Sequence, residues 1–155
     1  MKTDILKKTY MLEKHPEGGW FSEVYTSNDD ANGRSIAGSI YFLLDKEELS
    51  HFHRIDCDEL WYFHEGCGLK ITLVSKNGLE ELFLGNDTEH GQRAMVLIPK
   101  GSVFAAENLD TGSYTFISCA TAPKFTYDGF ELLKEDDVLS IYPDLPRDVL
   151  KLAFK

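Results

Sequence analysis

Cysteine is scarce in these 155 residues: Cys57, Cys67 and Cys119 are the only three, and no two form a Cys-x-x-Cys pair. An odd count without paired spacing argues against a disulfide framework and for free thiols in a reducing compartment. Basic residues are also few, 16 Lys and Arg against 26 Asp and Glu, for a formal net charge of -10. A chain so acidic, with no basic stripe, repels polyphosphate and excludes nucleic acid as a partner. Polar residues interrupt Ile5, Leu6, Met11 and Leu12 before a signal-peptide core can form, and no run is long enough to span a bilayer. The expectation is a soluble, cytoplasmic protein with no membrane partner. No linker or internal repeat divides it, so residues 1–155 read as one domain able to bury a core without disulfides.

What the chain has in quantity is short β segments separated by turn formers. Val24–Ser27, Ser39–Leu44, Glu59–Phe63, Leu69–Ser75, Leu79–Leu84, Ala94–Pro99, Val103–Glu107 and Tyr114–Ala122 read as strands. Asn32-Gly33, Asn77-Gly78, Gly85-Asn86-Asp87, Thr111-Gly112 and Asp128-Gly129 supply turns. Leu69, Ile71 and Leu73 alternate with Lys70 and Thr72, as in a strand with one dry face. Ser39–Leu44 is apolar nearly throughout and belongs between two packed layers. Helix is confined to the ends: one capped by Asp4 and carrying Ile5, Leu6 and Leu12, then Glu135–Tyr142 and Pro146–Phe154, with Pro146 in the first turn. Without strand-helix alternation there are no parallel crossovers, so the fold is all-β, a sandwich, barrel or jelly roll with terminal helices outside it.

The chemistry concentrates in His51-Phe-His53-Arg-Ile-Asp-Cys-Asp-Glu59-Leu-Trp61-Tyr-Phe63-His64-Glu-Gly66. In an ideal strand His51 and His53 share a face, and a turn returns Glu59 beside them. Such a set can hold a metal through two imidazoles and a carboxylate, or move protons. Trp61 and Phe63 fall on the Glu59 face, and an apolar wall there raises a carboxyl pKa. His64 falls on the opposite face and reads as structural. Glu17-Gly18-Gly19 reads first as a turn whose glycines permit positive φ, with a second reading that sets Glu17 at a pocket mouth. Gln92 and Arg93 either contact a ligand or decorate a turn, and Cys119 reads as a small buried filler. Lys14, Arg34, Arg54 and Arg93 offer a local basic rim.

His51-x-His53-x5-Glu59-x6-Gly66 resembles the first motif of the cupin superfamily, and Pro99-Lys-Gly101-Ser-Val-Phe104-Ala-Ala-Glu-Asn108 resembles its second. His15-Pro-Glu17-Gly18-Gly19-Trp20-Phe21, Ile40–Leu44, Asp58-Glu59-Leu-Trp61 and Ser118-Cys119-Ala-Thr-Ala-Pro123-Lys-Phe125 sharpen the match. In order and spacing they resemble the small, largely uncharacterised single-domain cupin family that opens on His-Pro-Glu-Gly-Gly. The resemblance implies a double-stranded β-helix, a pocket inside the barrel, a small-molecule ligand and a homodimer. It also implies a departure, because Phe104 stands where the superfamily's second motif carries a histidine, the fourth metal ligand.

Three functions follow from these residues. The leading one is a metal-optional isomerase, epimerase or lyase in which His53 is the general base or acid and Glu59 orients its imidazole, acting on a sugar-like or other small polar metabolite, as metal-free cupin epimerases do with a histidine-carboxylate pair and a tyrosine acid. Tyr41 is the candidate phenol, with Tyr62 as the alternative, and Glu17, Trp61, Phe63, Gln92 and Phe104 are the ligand-contact candidates. The second is an oxidoreductase holding one divalent metal ion on His51, His53 and Glu59. The third is a binding or storage-type protein without turnover.

Overall fold

A computed structural model describes residues 1–155. After helix α1 (Lys2–Thr9) come thirteen strands: β1 (Glu13–Lys14), β2 (Trp20–Thr26), β3 (Asp30–Ala31), β4 (Arg34–Ser35), β5 (Gly38–Asp45), β6 (Leu49–Ile55), β7 (Asp58–Gly66), β8 (Leu69–Ser75), β9 (Gly78–Leu84), β10 (Met95–Ile98), β11 (Val103–Asn108), β12 (Tyr114–Ala122) and β13 (Phe130–Leu132). Helices α2 (Glu135–Ile141) and α3 (Arg147–Leu150) close the chain. One sheet runs β1-β2-β5-β12-β7-β10, the other β13-β6-β11-β8-β9, and β3 and β4 form a separate hairpin. All strand pairs in the two sheets are antiparallel. The result is the all-β jelly-roll sandwich that the strand pattern predicts.

Alternation decides what lies between the sheets. Phe42 and Leu44 of β5, Trp61 of β7, Leu69 and Ile71 of β8, Phe104 and Ala106 of β11, and Ile117 and Cys119 of β12 point inward and form one core with Leu84, Val96 and Ile98. Intervening residues face outward, and two groups of them are covered by the terminal segments. Leu6 and Leu12 cover Leu43 and Phe116, while Val138, Leu145, Leu152 and Ala153 cover Phe52, Val74, Val103 and Ala105. The terminal helices therefore pack outside the barrel, as expected.

The ends of these helices differ from the sequence reading. Asp4 is not the cap; Met1 is, and the Asp4 carboxylate accepts a hydrogen bond from the chain's amino terminus at 3.2 Å. The helix stops at Thr9, before Leu12. The last helix spans Arg147–Leu150 instead of reaching Phe154, because the tail's backbone serves the sheet edge. Phe52 N–H donates to Leu152 O at 2.8 Å, and Phe154 N–H donates to Leu133 O at 2.9 Å.

One irregularity governs the site. On β11, Phe104 pairs with His53 and Ala106 with Ser50, so two steps of β11 oppose three of β6. The extra residue is a β-bulge, which interrupts alternation and bends the bulged strand. The amides it takes out of the ladder are satisfied elsewhere: His51 N–H donates to Glu17 O at 2.8 Å, and Phe52 N–H to Leu152 O. Ser50 and His53 thereby come to one side, and both reach Glu17.

Candidate functional site

The open end of the sandwich holds a cavity of about 610 Å³. Phe21, Glu23 and Tyr25 of β2, Ile40 and Phe42 of β5, His53 of β6, Glu59 and Trp61 of β7, and Cys119 of β12 reach into it. His15 and Glu17 enter from the loop between β1 and β2, while Lys124, Phe125 and Tyr127 come from the segment after β12, and Arg34 from β4.

Glu17 arrives through a tight turn in which Gly18 N–H donates to His15 O at 3.0 Å. Gly18 has φ +111, and a Cβ there would lie 1.9 Å from Leu49 O. Glycine is required both by the backbone conformation and by this close approach. The turn reading of Glu17-Gly18-Gly19 describes the backbone, and Glu17 itself lines the cavity at 6% exposure, buried rather than at a mouth.

The Glu17 carboxylate accepts the Ser50 hydroxyl hydrogen at 2.9 Å and meets His53 Nε2 at 2.9 Å. His53 Nδ1 lies 2.7 Å from His51 O. A carbonyl oxygen only accepts, so Nδ1 carries a proton and Nε2 faces a carboxylate. One further proton must lie between His53 and Glu17. Burial is the largest single influence on both groups and opposes charge, but their mutual charges and hydrogen bonds, joined by Ser50 on Glu17 and by Glu59 and His51 O on His53, together outweigh it. The imidazole is pushed up and the carboxyl down, which makes the pair imidazolium and carboxylate.

Glu59 has no such partner. It is 7% exposed, and its Oε1 accepts the Trp61 indole N–H. A second neutral donor is the Cys119 thiol. Burial first, and the neighbouring charge of Glu17 second, push its carboxyl up to about 7, against the opposing pull of His53. Two carboxylates in one cavity are thus shifted in opposite directions, because only Glu17 is paired directly with a cation. The Cys119 thiol is driven well above its ordinary value by burial and by Glu59, so the sulfur stays protonated. His15 accepts the Glu17 amide hydrogen on Nδ1 at 3.2 Å, and burial lowers its pKa, keeping it neutral.

His53, Glu59, Glu17 and Trp61 converge on the cavity. His51 does not: the bulge turns its ring away, Nδ1 donates to Glu17 O at 2.7 Å, and Phe154 packs on it edge-on at 5.7 Å. Tyr41 stands on the outer face, its ring 4.6 Å from Tyr10 and 5.4 Å from Phe116, because β5 sends Phe42 inward instead. Phe63 packs against the core and is absent from the cavity wall. Gln92 is a turn residue, its Oε1 accepting the Asp87 amide at 3.1 Å. Phe104 is fully buried, its ring 4.2 Å from the His53 imidazole, and supports the site from beneath. His64 hydrogen-bonds Ser118 Oγ at 2.8 Å on the outer face, as read. Of the basic rim only Arg34 joins the cavity; Lys14 pairs with Glu48 and Arg54 with Glu131.

The donor set does not suit the metal triad. His51 points elsewhere, both ring nitrogens of His53 are engaged by the protein, and phenylalanine faces His53 from β11. No three His, Cys, Asp or Glu side chains gather in a way that could hold an ion. All three cysteines are free, as the odd count predicts.

Among the lining residues, His15, Phe21, Cys119, Phe125 and Tyr127 were not among the site candidates. Four of the five stand in the His15–Phe21 and Ser118–Phe125 segments, so the signal was in the motifs themselves.

A family model described as Cupin superfamily (DUF985) matches residues 5–133. A crystal structure of the protein SO0799 from Shewanella oneidensis is 38% identical with a TM-score of 0.91, covering 97% of this chain and 96% of that one. A hypothetical protein from Leishmania major is 27% identical with a TM-score of 0.88, covering 98% of each chain. A mutant of Bacillus subtilis oxalate decarboxylase shares the fold at 13% identity and a TM-score of 0.56, covering 90% of this chain and 36% of that one. No curated protein matches the chain. No helix is long and apolar enough to cross a membrane.

Proposed function

From the premise that the chain belongs to the cupin superfamily, in the family described as DUF985, we propose that its cavity binds a small polar metabolite and moves protons on it, as an isomerase, epimerase or lyase of sugar-like or similar substrates. The observation that carries this reading is the grouping of Glu17, His53 and Glu59, all buried and all lining one cavity. Glu59, with its pKa near 7, both gives and takes a proton at neutral pH. The His53–Glu17 pair holds a second proton in a fixed position, and the pair's opposite charges keep Glu59 the titrating member. Glu59 therefore takes the role of acid and base, and His53, oriented by Glu17 and by His51 O, is its charged neighbour. Tyr127 replaces Tyr41 as the phenol within reach of the cavity, and burial raises its pKa so that it stays a donor.

The test is proton exchange: candidate sugars and other small uncharged or amine-bearing carbonyl compounds are incubated in deuterium oxide, and deuterium incorporation at carbon is read by NMR. The reading requires incorporation that depends on a group titrating near 7 and is abolished in Glu59→Gln. Incorporation that is unchanged in Glu59→Gln and in His53→Gln would sink it. Met95 and Tyr62 pair across β10 and β7, Leu97 and Leu60 pair beside them, and all but Leu60 are well exposed. This uncovered apolar face supports the homodimer that the family resemblance implies.

A further inference from the structure

The ring faces and charges of the cavity specify the ligand more closely than its volume does. Phe21, Tyr25, Phe42, Trp61, Phe125 and Tyr127 supply aromatic wall on several sides. Phe125 and Tyr127 stand edge to face at 5.1 Å, so their rings wall the mouth at nearly a right angle. Such faces attract a cation carried on an apolar body.

The cations already present are spoken for. Arg34 is bidentate to Asp56 at 2.9 and 3.0 Å, Lys124 pairs with Glu23 at 2.7 Å, and His53 pairs with Glu17 at 2.9 Å. Glu59 is the exception, a buried carboxyl lining the cavity whose donors, Trp61 and Cys119, are both neutral. A buried carboxylate lacking a counterion is a costly arrangement in the empty protein, and a ligand cation removes that cost. An anionic ligand would instead be buried against Glu59 and Glu17.

On the reading that this cavity is a ligand site, we infer that its ligand bears a positively charged nitrogen, an ammonium or alkylated amine, seated against Glu59 and the aromatic wall. The class thus narrows from small polar metabolite to amine-bearing metabolite.

Three isosteric probes test this: choline, the neutral 3,3-dimethylbutan-1-ol and the anionic 3,3-dimethylbutanoate. Each is titrated into the intact protein while the indole N–H resonance of Trp61 is followed by NMR, with Trp20, which lies outside the cavity, as the internal control. Choline is expected to bind about ten-fold or more tighter than the alcohol, with the acid weakest. Glu59→Gln removes about ten-fold from choline and nothing from the alcohol. Phe125→Leu and Tyr127→Leu, which keep the apolar wall but remove a ring face, each weaken choline roughly three-fold and spare the alcohol. Equal or tighter binding of the alcohol overturns the cation assignment while leaving the cavity a ligand site. Failure of all three probes to move the Trp61 resonance overturns the ligand-site reading together with it.

Discussion

Replacing Glu59 by glutamine should remove a pH dependence of stability whose window is set by the structure. A carboxyl raised from an ordinary 4.5 to about 7 binds its proton more tightly in the folded chain than in the unfolded one. Its contribution is fully present below pH 4.5, is lost progressively as the pH rises to 7, and does not change above that. At roughly 1.4 kcal/mol per pH unit the loss amounts to about 3 kcal/mol. The neighbouring pair acts in other windows. His53, with its pKa raised, contributes stability that is complete below 6.5 and declines above it. Glu17, with its pKa lowered, contributes stability that is complete above 4.5 and declines below it. Between 4.5 and 6.5 the slope from these three groups is therefore that of Glu59 alone. Urea unfolding of wild type and Glu59→Gln, measured from pH 4.5 to 8, reads it directly. Wild type should lose stability across the window relative to the variant, and at pH 8 the variant should be more stable by up to about 3 kcal/mol. Because the glutamine carbonyl still accepts the Trp61 indole hydrogen, the comparison isolates charge. Parallel pH curves for the two proteins would refute the argument that Glu59 is buried without a counterion.

Other changes test the rest of the site. Glu17→Ala leaves a buried imidazolium without its partner, so it should cost about 3–5 kcal/mol in urea unfolding and lower the His53 pKa read by NMR below its ordinary 6.5. Gly18→Ala forces a Cβ against Leu49 O at positive φ, and should cost at least about 2 kcal/mol while disturbing the His53 resonance. His51→Ala loses one hydrogen bond to Glu17 O, worth about 1 kcal/mol, and should leave the Glu59 titration in place. Protein loaded with iron, manganese, nickel or zinc and then desalted should hold well under one ion per chain by elemental analysis. A full equivalent that His53→Ala abolishes would contradict the donor geometry described above.

The strands were legible because period-two alternation and turn residues carry them. Leu69, Ile71 and Leu73 announced β8, and Asn32-Gly33 announced the β3–β4 hairpin, where both residues take positive φ. Glu59 and Trp61 were legible together for the same reason, since two residues along a regular strand return to the same face. Helix ends were less so, because a tail that gives its amides and carbonyls to a sheet edge leaves no periodic signature. Tyr41 failed because its neighbour Phe42 takes the inward face of β5, which turns the Tyr41 ring outward onto Tyr10 and Phe116. Gln92 failed because a turn's own backbone took its side-chain oxygen.

The reading of His51 beside His53 failed for a different reason, and that reason reaches to function. Regular alternation would have put both imidazoles on one face, where with Glu59 they make a metal cradle. One extra residue between Ser50 and His53 undoes this. It rotates His51 out of the cavity and frees its amide and ring to hold Glu17 O, at 2.8 and 2.7 Å. It also brings Ser50 round to share the Glu17 carboxylate with His53. The bulge and the Gly18 turn therefore work as one device, since the glycine lets the loop close on β6 and the bulge supplies the groups that grip it. Phe104 completes the exchange by placing a ring, rather than a fourth nitrogen, 4.2 Å from the His53 imidazole. A carboxylate delivered from the loop thus occupies the side of His53 that a metal would need. Glu59 is left with neutral donors, so burial and the nearby Glu17 charge hold its carboxyl near 7, open to a cation brought by the ligand.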